Sequence, residues 1–355
     1  MFAWLAGEDV NIGDSLLRRP YLAALAERGD VHAWVKNVSP AYLTGLIGSR
    51  EVRVSRSFAA WFLRALWSSL TRRTVIALNA GEVRPSVKRT AMMAVVSCVA
   101  RLSRRHDGRL IWVGATVRAG GSQLARALVR FSAQAADILQ WRSLAGRAVT
   151  GLGDVGPDWA FVEGSETVSW STSVRDSLAL VLRGDRAAPS DEWIDWVRGL
   201  LESLQLEAVV VVQVKHDADR AFDLAQLLGG RLIDWPDGRS HSEQEAVVRA
   251  VYRGSLLALG DRLHGLVVAA TEGAVPIGWV ESSRGKIAEH FSPVGLQFVG
   301  SLEGSSAGDL PPLSRADLRA WSDEVSRAVE EARGHLASAQ SLISATVGGA
   351  CSQPG

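Results

Sequence analysis

Short apolar runs rich in β-branched residues alternate with longer helical segments along most of this chain, and this alternation limits the fold more than any other feature. Residues 208–214, AVVVVQV, are apolar almost throughout, which is typical of a parallel strand buried on both faces of its sheet. Segments such as residues 57–70 have apolar residues at helical spacing. Strands that alternate with helices in this way predict an α/β fold with parallel sheets.

The alternation occurs in two series, which a polar segment separates. Residues 162–173, VEGSETVSWSTS, have neither helical nor strand periodicity, which indicates an interdomain linker. We therefore predict Rossmann-like domains over residues 1–165 and 174–312, followed by a C-terminal helix and tail over residues 313–355. Two such domains with a cleft between them form a glycosyltransferase-B-like architecture, and we expect the terminal helix to pack back on the first domain.

Composition and charge exclude several classes of protein. The 355 residues include 39 basic and 38 acidic side chains, giving a net charge of +1, so no general field attracts a polyanion and we predict no nucleic-acid binding. The two cysteines, Cys98 and Cys351, are too few for a disulfide framework and lack metal-ligand spacing. No metal site is expected, and the localisation predicted is cytoplasmic.

Tryptophan is abundant, with 13 residues. Four of these residues lie at three- or six-residue spacing in predicted helices: Trp61, Trp67, Trp193 and Trp196. This spacing favours packing in a core over a role in a cofactor site. The charge-free apolar runs, such as residues 90–100, are too short to cross a bilayer.

The segment from residue 255 to residue 286 is the strongest candidate for a functional site. A short apolar strand ends at Gly260, and Asp261 is predicted to cap a helix whose first turn contains Arg262 and His264. Ligands of open α/β sheets bind at the carboxyl ends of the strands. An arginine, a histidine and the free amides of a helix N-terminus together predict a site for a phosphate or a carboxylate.

A structural role for the same residues is an open alternative. An arginine at a strand end is often the partner of a buried carboxylate, and a histidine beside a core leucine is often a satisfied core residue. The spacing of Arg262 and His264 alone is compatible with both interpretations.

The string GDRLHGLVVAATEGAVPIGW, with Lys286 downstream, resembles the characteristic segment of the polysaccharide pyruvyl transferase family. The resemblance implies the glycosyltransferase-B-like fold and transfer of the pyruvyl group of phosphoenolpyruvate onto two hydroxyls of a sugar. This reaction forms a pyruvate ketal during the synthesis of cell-surface polysaccharides. It implies no cofactor, phosphoenolpyruvate as donor, and a sugar or lipid-linked saccharide as acceptor, with possible peripheral contact at the inner face of the membrane.

The same resemblance implies a set of site residues. Arg262 and Arg183 would clamp the donor in the C-terminal domain, and His264 would be the general acid or base. The acceptor would bind on the N-terminal domain. The residues implied in substrate binding are Asn11, Gly13, Asp14, Arg142, Gln213, Leu263 and Lys286. From its position in a polar turn, Asp14 is also predicted to cap the first helix.

Two other functions stay open at this point. One is a nucleotide-sugar glycosyltransferase of the same architecture, in which the anion site would hold a diphosphate. The other is a non-catalytic binding subunit in polysaccharide assembly. No oligomeric state is predicted.

Overall fold

The computed structural model describes residues 1–172, 174–280 and 285–348, with only the backbone described at residues 171, 172 and 286. The chain divides into two compact units. Unit 1 consists of Met1–Glu8, Asp14–Trp159 and the described residues from Gly334, and unit 2 consists of Asp9–Gly13 and the described residues between Ala160 and Arg333. The predicted domain boundaries at residues 165, 174 and 312 stay a prediction.

Unit 1 is built on a parallel sheet, whose strands in chain order are β1 Phe2–Trp4, β2 Val31–Trp34, β3 Val52–Ser55, β4 Val75–Ala77, β5 Gly81–Val83, β6 Arg109–Val117, β7 Ile138–Trp141 and β8 Asp154–Val155. Their order across the sheet is β3-β2-β1-β4-β6-β7-β8, with β5 paired to β6. The helices of this part of the chain are α1 Ile12–Leu16, α2 Arg18–Ala26, α3 Pro40–Ile47, α4 Phe58–Thr71, α5 Val87–Ser103, α6 Gln123–Ala135 and α7 Leu144–Thr150.

Strand β6 is longer than the sequence pattern predicts. The pattern ends the strand at Val113 and places residues 114–121 in a glycine-rich loop, but pairing continues to Val117. Gly114 has a φ of 69°, and the register with β7 shifts between Val113 and Ala115. Gly114 thus forms a bulge that the strand passes through, because glycine adopts positive φ without strain.

Tryptophans form much of the unit 1 core, but not all in the predicted way. Trp61, Trp112 and Trp141 are fully buried, and the rings of Trp112 and Trp141 meet edge to face with centroids 4.8 Å apart. The prediction of a core position is wrong for Trp67, whose exposed fraction is 69%. Trp67 lies on α4, on the side opposite Trp61.

Unit 2 contains the second parallel sheet, with β9 Ser177–Val181, β10 Glu207–Val211, β11 Arg231–Ile233, β12 Ser255–Gly260 and β13 Val275–Gly278 in the order β11-β10-β9-β12-β13. The remaining helices are α8 Asp191–Leu204, α9 Ala218–Leu228, α10 His241–Gly254, α11 Leu263–Thr271, α12 Lys286–Phe291 and α13 Arg315–Gly348. Two parallel sheets in α/β units confirm the predicted pair of Rossmann-like domains.

The C-terminal part of α13 belongs to unit 1, as predicted for the terminal helix. Ser344 donates a hydrogen bond of 2.5 Å to the Glu27 carboxylate. Arg73 donates to the carbonyl oxygens of Thr346 and Val347, each at 2.6 Å. None of the described helices combines the length and the apolar character that crossing a bilayer requires.

Candidate functional site

Charged side chains of unit 2 gather where β9, β10 and β12 end. These strands are neighbours, with β9 in the middle, so the loops that follow them meet at one edge of the sheet. The loop after β9 contributes Arg183, Asp185 and Arg186, and the loop after β10 contributes Asp217. We call these residues, together with Asp261 and Arg262 after β12, the Arg–Asp cluster.

Asp261 holds the β9 loop, and the prediction that it caps α11 is wrong. The N-cap residue is Arg262, whose side chain makes no cap hydrogen bond. The Asp261 carboxylate instead accepts a hydrogen bond of 2.8 Å from the backbone amide of Arg183 and lies 3.2 Å from Nη1 of Arg186. Burial raises the pKa of the Asp261 carboxyl above its ordinary value, and the charge of Arg186 opposes the rise.

Arg262 is fixed by a buried carboxylate. Its Nε donates a hydrogen bond of 2.6 Å to Asp217, and its Nη2 donates to the other oxygen of the same carboxylate. The Asp217 side chain is 2% exposed, and it also accepts a hydrogen bond of 2.8 Å from the amide of Gly184. Arg262 therefore has the structural role of partner to a buried carboxylate. The pair uses its Nε and Nη2 but not its Nη1.

Arg183 is more accessible than Arg262. Its side chain is 25% exposed, and it donates two hydrogen bonds, of 2.8 Å and 2.6 Å, to the Asp185 carboxylate. These bonds lower the pKa of Asp185 from 3.8 to about 2. Because the pKa of this carboxyl is depressed, the pair stabilises the fold at pH values above the ordinary aspartate pKa. This stabilisation is lost as the pH falls through about 2.

Residues 9–13 bring the N-terminal glycine-bearing turn to the start of α11 within unit 2. Asn11 forms an antiparallel bridge with Val214, and its side chain accepts a hydrogen bond of 3.0 Å from the amide of Gly13. A Cβ built on Gly13 would lie only 2.4 Å from Nδ1 of His264. Asn11, Gly13 and His264, which the sequence assigned to one site, are therefore neighbours.

Gln213 lies beneath the same helix start. It is 2% exposed, and its backbone carbonyl accepts a hydrogen bond of 3.4 Å from the amide of Ile12. Its side-chain Oε1 is buried without a hydrogen-bond partner among the described atoms, and a Cβ built on Gly265 would lie 2.6 Å from it. Gln213 therefore lies close to the backbone of α11 at Gly265.

The structure describes two further predicted residues, Leu263 and Lys286, to different extents. Leu263 is half-buried, whereas every residue from Gly265 to Thr271 is buried, so α11 is enclosed on all sides rather than along one face. The backbone of Lys286 begins α12, but its side chain lies outside the described part of the chain. The segment 281–284 before it lies outside as well.

Asp14 and Arg142 belong to unit 1. Asp14 lies in the first turn of α1, not at the predicted N-cap, and its carboxylate accepts a hydrogen bond of 2.7 Å from the amide of Glu8. Arg142 donates a hydrogen bond of 2.5 Å to the fully buried Asp158. The roles of both residues in substrate binding stay predictions.

Sequence reasoning missed Arg186 and did not include Asp217 among the site residues. The available signal was the position of both residues in the first loop after a buried strand, where Arg262 also lies.

Among the described residues, no group of three or more His, Cys, Asp or Glu side chains could hold a metal ion.

The cluster is suited to binding an anion. Three guanidinium groups lie at the carboxyl edge of a parallel sheet, next to the N-terminus of α11. The first-turn amides of a helix attract negative charge. Guanidinium forks also pair well with phosphate oxygens.

Comparison with solved structures identifies the fold at low sequence identity. A UDP-GlcNAc 2-epimerase from Neisseria meningitidis, bound to UDP-GlcNAc, matches with a TM-score of 0.60 and 10% identity over 98% of each chain. The complex of S. aureus MnaA with UDP matches with a TM-score of 0.52 and 11% identity over 96% of each chain. A UDP-glucose:anthocyanidin 3-O-glucosyltransferase in complex with UDP matches with a TM-score of 0.50 and 11% identity, over 98% of this chain and 99% of that chain.

These likenesses establish the glycosyltransferase-B-like fold. No protein-family model matches the sequence, and no curated protein sequence is significantly similar to it.

The predicted activity of a polysaccharide pyruvyl transferase is wrong. Solved structures of the same fold that resemble this chain include an epimerase and a glucosyltransferase of UDP-sugars, and phosphoenolpyruvate as the donor loses its support with the predicted activity. The arginine of the DRLH segment, Arg262, pairs with Asp217.

Proposed function

We propose that this protein binds a nucleoside diphosphate sugar at the Arg–Asp cluster and breaks the bond between the sugar and the diphosphate. The observation that supports the proposal most strongly is the set of three arginines at the carboxyl edge of the unit 2 sheet, beside a helix N-terminus. A diphosphate has two adjacent anionic groups, and this edge offers several fixed cations to them.

Arg183 and Arg186 are the arginines that meet the diphosphate in this proposal. Their side chains are 25% and 29% exposed, whereas Arg262 is 15% exposed and bound to Asp217. Asp261 and Asp217 each hold a backbone amide of the β9 loop. The two buried carboxylates therefore fix the loop before the ligand arrives, which lowers the entropy cost of binding.

His264 is the proposed proton carrier. It is half-exposed at the second residue of α11, with Gly13 packed against its ring. Histidine is the side chain best suited to proton transfer near neutral pH. In a glycosyltransferase, the C1–O bond to the diphosphate breaks, the acceptor hydroxyl forms a bond to C1, and the hydroxyl proton needs an acceptor such as this imidazole.

A second candidate is epimerisation of a nucleotide sugar. It is favoured by the match to the Neisseria meningitidis UDP-GlcNAc 2-epimerase, which has the highest TM-score of the three structures compared. Both candidates bind a nucleotide sugar at the same diphosphate site. They differ only in what happens to the sugar.

Incubation with UDP-GlcNAc or UDP-glucose, followed by anion-exchange chromatography, tests the proposal and separates its two forms. Release of UDP that depends on an added saccharide or lipid-linked acceptor identifies a glycosyltransferase. Conversion of UDP-GlcNAc to a second UDP-sugar without an acceptor identifies an epimerase. Binding of neither nucleotide sugar to the folded protein would overturn the proposal and favour a subunit without chemistry.

The variant Asp185→Asn is expected to bind UDP more tightly than the wild type. Asp185 is 64% exposed and occupies the Arg183 fork that the diphosphate needs. Removing its charge eliminates a competitor and a repulsive anion, and exposed ion pairs of this kind contribute about 0.2–1 kcal/mol, so we expect a gain in affinity of about 1.4- to fivefold.

Isothermal titration with UDP at low and high salt measures the change. Asp195→Asn is the matched control, because Asp195 forms a similar exposed pair with Arg198 on α8. Weaker UDP binding by Asp185→Asn would mean that Asp185 belongs to the binding surface rather than competing with the ligand.

A further inference from the structure

The solvent-facing side of α4 in unit 1 is apolar. The helix buries Trp61 and Ala65 against the core, while Leu63, Trp67 and Leu70 are 63%, 69% and 50% exposed. These three residues are spaced by four and three positions, so they lie on one face of the helix. A surface helix normally has polar residues on that face, and a cluster of exposed apolar side chains indicates an interaction surface.

The neighbouring helix also has an exposed apolar side chain. Helix α5 packs beside α4, and its Val95 is 50% exposed. We call Leu63, Trp67, Leu70 and Val95 the α4–α5 face. Exposed apolar side chains therefore occur on two adjacent helices of unit 1.

The chain segment that contains α4 has charged side chains of one sign. Residues 52–81 contain five arginines and no aspartate or glutamate: Arg53, Arg56, Arg64, Arg72 and Arg73. The side chain of Arg53 is 79% exposed, and its ion pair with Asp30, at 4.0 Å, is with a carboxylate that is 93% exposed. Asp30 offsets only one of the five positive charges, so an excess of positive charge persists.

His32 lies close to two of these arginines. Its pKa is lowered from the ordinary value, first by partial burial and then by the charges of Arg64 and Arg53. Arg64 is the single charged residue within α4 and is exposed beside Trp67 on the next turn. Positive charge therefore lies next to the apolar side chains, not on a remote part of the unit.

We propose that the α4–α5 face docks unit 1 on a membrane surface that contains anionic lipids. Leucine and tryptophan side chains partition into the boundary between headgroups and acyl chains, and arginine pairs with lipid phosphates. A second copy of this chain is a poorer occupant, because self-association would place the same five arginines against each other. The proposal concerns unit 1 only and does not depend on the proposed nucleotide-sugar activity.

Cosedimentation of the full chain with vesicles tests the docking. The wild type is expected to bind vesicles of phosphatidylcholine and phosphatidylglycerol and to bind pure phosphatidylcholine much less, with binding that weakens as salt is raised. The double variant Leu63→Ser/Trp67→Ser is expected to lose at least about tenfold in vesicle affinity, because it removes the side chains that enter the bilayer boundary. Arg56→Gln/Arg64→Gln should lose the preference for the anionic lipid.

The matched control is Phe222→Ser/Leu227→Ser on α9 of unit 2, whose side chains are 52% and 53% exposed. It removes equally exposed apolar side chains and should leave vesicle binding unchanged. Circular dichroism checks that every variant is folded. Equal binding to neutral vesicles, no binding to either kind, or unchanged binding by Leu63→Ser/Trp67→Ser would each overturn the proposal. A dimer in light scattering that this variant abolishes, without vesicle binding, would assign the face to a second copy instead.

Discussion

Asp217→Ala is expected to lower the free energy of unfolding by about 3–5 kcal/mol, because removing one partner of a buried ion pair leaves the other charge without compensation. The Asp217 side chain is 2% exposed and binds both Nε and Nη2 of Arg262. It also accepts a hydrogen bond from the amide of Gly184, which the variant leaves unsatisfied. Urea unfolding followed by circular dichroism measures the loss.

Asp219→Ala is the control for this experiment, because Asp219 is exposed two residues further along the chain and should change stability by less than about 0.5 kcal/mol. The double variant Asp217→Ala/Arg262→Met removes both charges and should recover part of the loss, since a buried pair replaced by apolar residues is often tolerated. A loss below about 1 kcal/mol in Asp217→Ala would show that Arg262 is solvated and not held by this carboxylate.

Gly13→Ala should reduce turnover of a nucleotide sugar by at least about tenfold and cost about 1–3 kcal/mol of stability, because an added methyl group forces a packed contact apart. Its Cβ would lie 2.4 Å from Nδ1 and 2.7 Å from Cβ and Cγ of His264. The imidazole therefore has to move, and a displacement of about 1 Å at a catalytic group commonly costs about a hundredfold in rate. Steady-state kinetics of nucleotide-sugar consumption measures the effect.

The control is Gly199→Ala in α8, where an added Cβ meets nothing within 4 Å. This variant should be as active as the wild type and slightly more stable, because alanine is favoured over glycine inside a helix by about 1 kcal/mol. If Gly13→Ala turned over substrate at the wild-type rate, the position of the His264 ring would have no part in the chemistry.

The starts of several helices could be predicted from single residues. The helical patterns after residues 57, 86 and 122 each begin at a serine, and the structure places Ser57, Ser86 and Ser122 at the N-caps of α4, α5 and α6. In each case the serine side chain accepts a hydrogen bond from the amide three residues ahead. This interaction is local, so the sequence pattern is sufficient to predict it.

The contacts within the site could not be predicted in the same way. Asp261 binds the amide of Arg183, which is 78 residues away, and Arg262 binds Asp217, which is 45 residues away. Such partners depend on the order β10-β9-β12 across the sheet, which no single strand pattern specifies. Position at a strand end was therefore enough to single out Arg262, but it did not reveal Arg186 or show that a carboxylate already holds Arg262.

Helical periodicity did not predict which side of α4 faces outward. Trp61 and Trp67 both occur in an apolar helical pattern, yet one is buried and the other is 69% exposed. The helix is apolar on both sides, so the pattern alone does not identify the side that faces the sheet. Only the packing of the helix on the strands distinguishes the two.

Isothermal titration of UDP into the wild type and into Arg183→Ala is the most direct test of the central claim, that the Arg–Asp cluster is a diphosphate site. Arg183 is partly exposed and pairs with an exposed carboxylate, so its removal should leave the fold intact. We expect saturable binding by the wild type and at least about a tenfold loss in Arg183→Ala, since a charge-assisted hydrogen bond contributes about 1.5–3 kcal/mol. Arg198→Ala should bind UDP like the wild type. No binding of UDP by the folded wild type, or equal affinity in Arg183→Ala, would contradict the account.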